Sequence, residues 1–325
     1  MSLNKELMDD PLAFARKYSI LGHDDAATAP VQLGQIGEYY SSKMKGLTKI
    51  AYLDCVKMQY ATELMSGKDA TPEQKAAMVN EGADTIRIKP YARNSGDLVP
   101  AFFLPWDYRG GVVKLSIPSM AKFDLNFWDA NKVYGGSAIG GTQLVTKYPK
   151  FFLTAAINGC SVFVTGTAQQ PTVYHCGKSG DVPNAIETWR DAVTELSGKK
   201  LSTMGEANKV HYIKDGVTKD AQNFHTTQQA LVFTKALNDA YERSKVRVQE
   251  VRPWGAVFGV CDDYGFWSFY LQENATIRYD VVSKKFLGKK KVEAASVSRP
   301  MTVRQFFPGT GGRVELKSTF SWIPL

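Results

Sequence analysis

CSVFVTGTAQQPTVYHCG, residues 160–177, is the stretch on which the reading of this chain turns. Two β-branched and aromatic runs, CSVFVTG (160–166) and PTVYHC (171–176), flank a polar connection around TAQQP, the pattern of a β-hairpin. Side chains alternate along a strand, so Cys160, Val162 and Val164 share one face of the first run. Val173 and His175 share a face of the second, and Tyr174 and Cys176 take the other. Antiparallel pairing brings the start of the first strand beside the end of the second. Cys160 and His175 are therefore expected as cross-strand neighbours, with Cβ atoms about 5 Å apart.

That pairing has a chemical meaning. A thiol with a pKa near ~8.5 is only a few per cent thiolate at neutral pH, and an adjacent imidazole makes it a nucleophile. Gly159 permits a sharp turn before the cysteine. Together with Asn158 it supports an oxyanion site built on the Cys160 amide. A third group must hold the imidazole in one tautomer; Thr154, six residues before the cysteine, can fold back to do so, and so can a backbone carbonyl. The structural alternative stands beside this one. Cysteine is among the most buried residue types, and a histidine on an apolar strand can be a satisfied core residue.

Outward from the hairpin, short strand-like runs dominate: TIRIKPYA (85–92), VVKLSI (112–117), VRVQEV (246–251), AVFGVCDDYGFWSFYLQ (256–272), ATIRYDVV (275–282) and RVELKSTFSWIP (313–324). Within them YGFWSFY (264–270) is apolar on both faces, which suits a central strand buried on each side. Helical signals interrupt the strands at 181–200 and at 226–245, where Thr226 and Gln229 form a capping box. The first 85 residues read as helical: NKELMDDPLAFARKY (4–18), QLGQIGEYYSSKM (32–44) and TPEQKAAMVNEG (71–82), the last with Thr71 at the N-cap and Pro72 in the first turn. The expected fold is α+β, an antiparallel β-sandwich or strongly curved sheet with flanking helices and a helical N-terminal segment. Residues 1–85 would pack on a catalytic domain of residues 86–325, or the chain would be a single domain.

The 325 residues suffice for a full core. No signal-peptide core follows Met1, and no apolar run approaches the length of a membrane span. Cys55, Cys160, Cys176 and Cys261 show no framework spacing and read as free thiols of a reducing compartment. The net charge is +8, with its densest cluster in KKFLGKKK (284–291). This reads as a solvated hairpin around Gly288 whose lysines guard a sheet edge. No nucleic-acid motif accompanies it.

The pattern Thr154, then Gly159–Cys160, then His175 resembles the active-site signature of the cytotoxic necrotizing factor superfamily, which includes the Burkholderia lethal factor and the chemoreceptor glutamine deamidases. The toxin members commonly read Ser-Gly-Cys where this chain reads Asn158–Gly159–Cys160. The resemblance implies a β-sandwich core and a catalytic Cys160–His175 pair, with Thr154 orienting the imidazole. It implies a cysteine-dependent protein glutamine deamidase, with transglutamination as a side activity, that needs neither metal nor cofactor. Its partner would be a target-cell protein presenting a glutamine, such as a small GTPase or a translation factor, and the protein would be a monomeric bacterial effector or toxin delivered into the target-cell cytosol. The other readings are a cysteine peptidase or amidase with the same pair, and a non-catalytic β-rich binding protein.

Other features carry less. Cys176, facing away from Cys160, reads as packing. His211 and His225 flank a turn-rich stretch and read as surface residues, as does His23 in GHDD. GGSAIGG (135–141) lacks the lysine of a phosphate-binding loop and reads as a loop beside a substrate groove.

Overall fold

The computed structural model describes residues 1–22, 50–57, 85–91, 96–104, 112–123, 148–157, 159–177, 185–208, 245–284, 290–309 and 313–315. Two short helices open the chain, α1 (Leu3–Asp9) and α2 (Pro11–Lys17). Each starts on a side-chain cap: the Lys5 amide donates to the Ser2 hydroxyl, and the Ala13 amide to the Asp10 carboxylate at 2.9 Å. Pro11 at the first position of α2 has no amide hydrogen to orphan.

Among the described residues thirteen strands follow, in two sheets. The larger holds β1 (Ser19–Gly22), β2 (Ile50–Lys57), β3 (Thr85–Tyr91), β4 (Val99–Leu104), β6 (Phe151–Thr154), β10 (Lys245–Cys261), β11 (Trp267–Lys284), β12 (Lys290–Phe307) and β13 (Arg313–Glu315), ordered β1-β3-β2-β4-β6-β10-β11-β12-β13. The smaller holds β5 (Val112–Ser116), β7 (Ser161–Thr167), β8 (Gln170–Cys176) and β9 (Gly205–Ala207), ordered β5-β8-β7-β9 and wholly antiparallel.

This corrects the expected architecture. The fold is a mixed parallel and antiparallel two-sheet arrangement with flanking helices, not a closed antiparallel sandwich or a strongly curved sheet: β1 pairs with β3 and β4 with β6 in parallel. Turn signals between adjacent runs report hairpins, whereas a parallel pair joins segments far apart in sequence. The helical N-terminal segment needs correction too, since Ser19–Gly22 and Ile50–Lys57 are strands of the large sheet. Both are buried along most of their length, and a short run buried on both faces lacks the alternation that marks a strand. The helices expected at 32–44 and 71–82 lie outside the described residues, as do Asn158, His23, His211, His225, the glycine-rich 135–141 and all of the helix expected at 226–245 except Lys245, which opens β10.

Among the described residues three clusters set the layers. Between the sheets, Phe102, Leu104, Phe152, Val257, Phe269 and Leu271 of the large sheet meet Val113, Leu115, Val162, Val164 and Val173 of the small one. Alternation places Phe151 and Leu153 on the far face of the large sheet, against Leu7 of α1 and Phe14 of α2. The outer face of the small sheet is covered by a third helix, α3 (Ala185–Ser197), whose Trp189 and Val193 pack on Val112, Phe163, Tyr174 and Cys176. Each fully buried phenylalanine in these layers contributes up to about 3 kcal/mol.

Of the aromatic run, only Trp267 onward is strand. Tyr264 and Phe266 lie in the turn before it, 82% and 46% exposed. Gly265 there has φ +85°, and the Asp262 carboxylate accepts the Tyr264 and Phe266 amides. The lysine-rich hairpin forms, with Lys284 opposite Lys290 and its turn outside the described residues.

Candidate functional site

The hairpin of β7 and β8 turns on Ala168 and Gln169, with Thr167 opposite Gln170. That tight turn fixes the register: Val162, not Cys160, stands directly opposite His175. The direct cross-strand pairing expected from the sequence is therefore off by two residues, because TAQQP is mostly strand rather than loop. Cys160 precedes β7 and packs with Val162, Val164 and Ile157 in the core between the sheets. It precedes by two residues the position that stands opposite His175.

Gly159 has φ +101°, where a side chain is strained, which accounts for glycine before the cysteine. The segment leading to it is pinned by reciprocal hydrogen bonds of 2.8 Å between Ile157 and Gly255 of β10.

Thr154 ends β6, beside Leu104 in the parallel pair. Its hydroxyl donates to the Leu104 carbonyl at 2.7 Å, and His175 Nδ1 lies 2.6 Å from the same oxygen. A hydroxyl has one proton, and a carbonyl can only accept. Thr154 Oγ1 therefore accepts from Nδ1–H, and the neutral ring carries its lone pair on Nε2. His175 is fully buried, and burial pulls its pKa down from 6.5 to about 3, so the resting ring is uncharged. This differs from the standing imidazolium that would hold a thiolate. Nε2 is buried and has no hydrogen-bond partner. A hydrogen-bonded thiol–imidazole pair is thus not what the structure shows; the ring is oriented and its second nitrogen left open.

None of the four cysteines forms a disulfide and all are buried, with Cys160 3% exposed. Burial pushes the Cys55 and Cys261 thiols up to about 12. Burial, and then the nearby Cys160 and Glu206, push Cys176 well above its ordinary range. Cys176 lies beneath α3 beside Trp189, which is the packing role expected of it. Among the described residues no cluster of three His, Cys, Asp or Glu side chains could hold a metal ion.

The structure thus brings Thr154 and His175 into contact across the two sheets and places Cys160 in the same core layer. Sequence reasoning did not single out Leu104: its part is played by a backbone carbonyl, delivered by a parallel pairing fifty residues away in sequence. No protein-family model and no curated protein matches this chain.

Proposed function

We propose that this chain is a cysteine-dependent amidohydrolase that converts a protein glutamine to glutamate, with Cys160 as nucleophile, His175 as base and Thr154 as the orienting hydroxyl. The observation that carries the reading is the Leu104–Thr154–His175 chain, which commits Nδ1 and leaves a lone pair on Nε2 in the layer that holds Cys160. Glutamine as substrate, and an effector acting inside a target cell on a GTPase or a translation factor, come from the resemblance of Thr154, Gly159–Cys160 and His175 to the necrotizing-factor superfamily.

The resting site is closed, with both reacting side chains buried. A substrate reaches Cys160 only when the turn at Gly159 moves outward. A polar carboxamide or water against Nε2 then relieves the desolvation that depresses the ring's basicity. His175 Nε2 takes the thiol proton as the sulfur attacks the carboxamide carbon. The oxyanion forms near the Cys160 amide. Nε2 returns the proton to the departing nitrogen, the C–N bond breaks and ammonia leaves a thioester. Water, deprotonated by the same nitrogen, cleaves the C–S bond to give glutamate and restore the thiol. An amine in place of water gives transglutamination.

The test is mass spectrometry of target-cell proteins after exposure to wild type or to Cys160→Ala. Glutamine-to-glutamate conversion, about one mass unit, present only with wild type supports the reading; fragments in place of conversion point to a peptidase. A second reading, a β-rich binding protein in which Cys160 fills core space, is favoured by the burial of that side chain. It predicts no iodoacetamide labelling of Cys160 in the folded protein. The enzyme predicts labelling whose rate saturates with reagent as opening becomes limiting.

A further inference from the structure

Gly22 closes β1, four places from β6 in the sheet order, yet it lies against the backbone that carries Thr154. A Cβ added to Gly22 would run into the Thr154 carbonyl oxygen, and would stand 3.1 Å from Ala155 Cα and 3.3 Å from Ala156 N. These are main-chain atoms, which cannot rotate away as a side chain can. Gly22 is not among the glycines with positive φ, so this contact, rather than a backbone angle, is what calls for glycine. β1 is itself held in place: the Ile20 amide donates to Gln272 of β11 at 2.8 Å, and Ile20 is fully buried.

The consequence falls on Thr154. Its hydroxyl bridges two fixed partners at 2.7 and 2.6 Å, the Leu104 carbonyl and the His175 ring. Moving the Thr154 backbone by a few tenths of an ångström lengthens one of these bonds. We propose that Gly22 is a positioning residue, whose missing side chain lets β1 close against the Thr154 main chain and so sets the hydrogen bond that orients His175. Its catalytic meaning rests on the function proposed above; its structural meaning does not.

The experiment uses the full chain labelled with 15N, comparing wild type, Gly22→Ala and Gly205→Ala. Gly205 is a second crowded position and serves as the control: its added Cβ would lie 2.8 Å from the Phe306 carbonyl oxygen, away from Thr154. Wild type should show a downfield, slowly exchanging His175 Nδ1–H. In Gly22→Ala this proton should move upfield and exchange faster, while Gly205→Ala loses stability and leaves the signal in place. Iodoacetamide labelling of Cys160 should slow only in Gly22→Ala, by up to about 100-fold, the cost of a misplaced catalytic group. A folded Gly22→Ala with an unchanged His175 signal overturns the proposal, as does an equal shift in Gly205→Ala. Should Gly22→Ala not fold, Ile20→Val, which loosens β1 without a clash, must speed exchange of the same proton; no change overturns the proposal. If the His175 signal responds as expected but wild-type Cys160 does not label, the enzymatic reading fails and the positioning role stands.

Discussion

Two buried polar groups in this molecule are treated in opposite ways. Gln272, fully buried on the helix-covered face of β11, uses everything it has: its Nε2 donates to the Ala15 carbonyl at 2.5 Å and the Tyr18 carbonyl at 2.7 Å, and its Oε1 accepts from the Ile20 amide at 2.8 Å and from Asn274 at 3.0 Å. It caps the carbonyls that α2 leaves open at its end and ties β1 to the large sheet. His175, equally buried on the small sheet in the layer between the two sheets, uses one ring nitrogen and leaves the other empty. A buried side chain whose polar atoms are all paired stabilises, while a buried polar atom left without a partner calls for an explanation. The contrast separates a side chain whose polar atoms are all paired from one that keeps a buried nitrogen unpaired.

Breaking the second region should cost chemistry and leave the fold. Cys160→Ser is expected to lower glutamine-to-glutamate turnover by at least about 10³-fold, with thermal unfolding unchanged. Breaking the first should cost stability before chemistry. Gln272→Leu strands two buried carbonyls and an amide, each costing about 1–3 kcal/mol. Urea unfolding should show that loss; because Gln272 also holds β1 through the Ile20 amide, Cys160 labelling in the folded fraction should slow, but less than in Gly22→Ala. A Gln272→Leu variant of full stability would dissolve the comparison.

Acid sharpens it. The folded pKa of His175, about 3, lies below the ordinary 6.5, so between those values the unfolded chain binds a proton that the folded one does not. Stability from this group is complete above about pH 6.5 and falls as pH drops toward 3, by about 1.4 kcal/mol per pH unit. Urea titrations from pH 7 to 4 should show this slope in wild type and a flatter one in His175→Gln. Equal slopes would mean that the ring is not neutral by burial. The smallest effect is expected of Thr154→Val, which strands the His175 Nδ1–H and should cost about 1–2 kcal/mol and less turnover than loss of the nucleophile. Thr154→Ser, which keeps the hydroxyl, should recover most of both, as read by thermal unfolding and by the same conversion assay.

The sequence by itself determined what is local. Alternation of apolar and polar residues placed His175 with Val173 on one face and Cys176 on the other. Glycine at 159 marked a sharp turn, and the helical signal at 181–200 marked the helix that forms over Ala185–Ser197. These follow from the period of a strand or a helix and from steric limits at single residues. Tertiary structure decided the rest. The parallel pairs β1/β3 and β4/β6, the seating of Gly22 under Thr154, and the grip of Gln272 on α2 join segments far apart in the chain. No periodicity records such contacts, because they depend on which buried faces meet. The register of the hairpin likewise waited on its two-residue turn, and with it the position of Cys160 relative to His175. Two strands of a given alternation can pair at several offsets, and only the turn and the facing sheet select one.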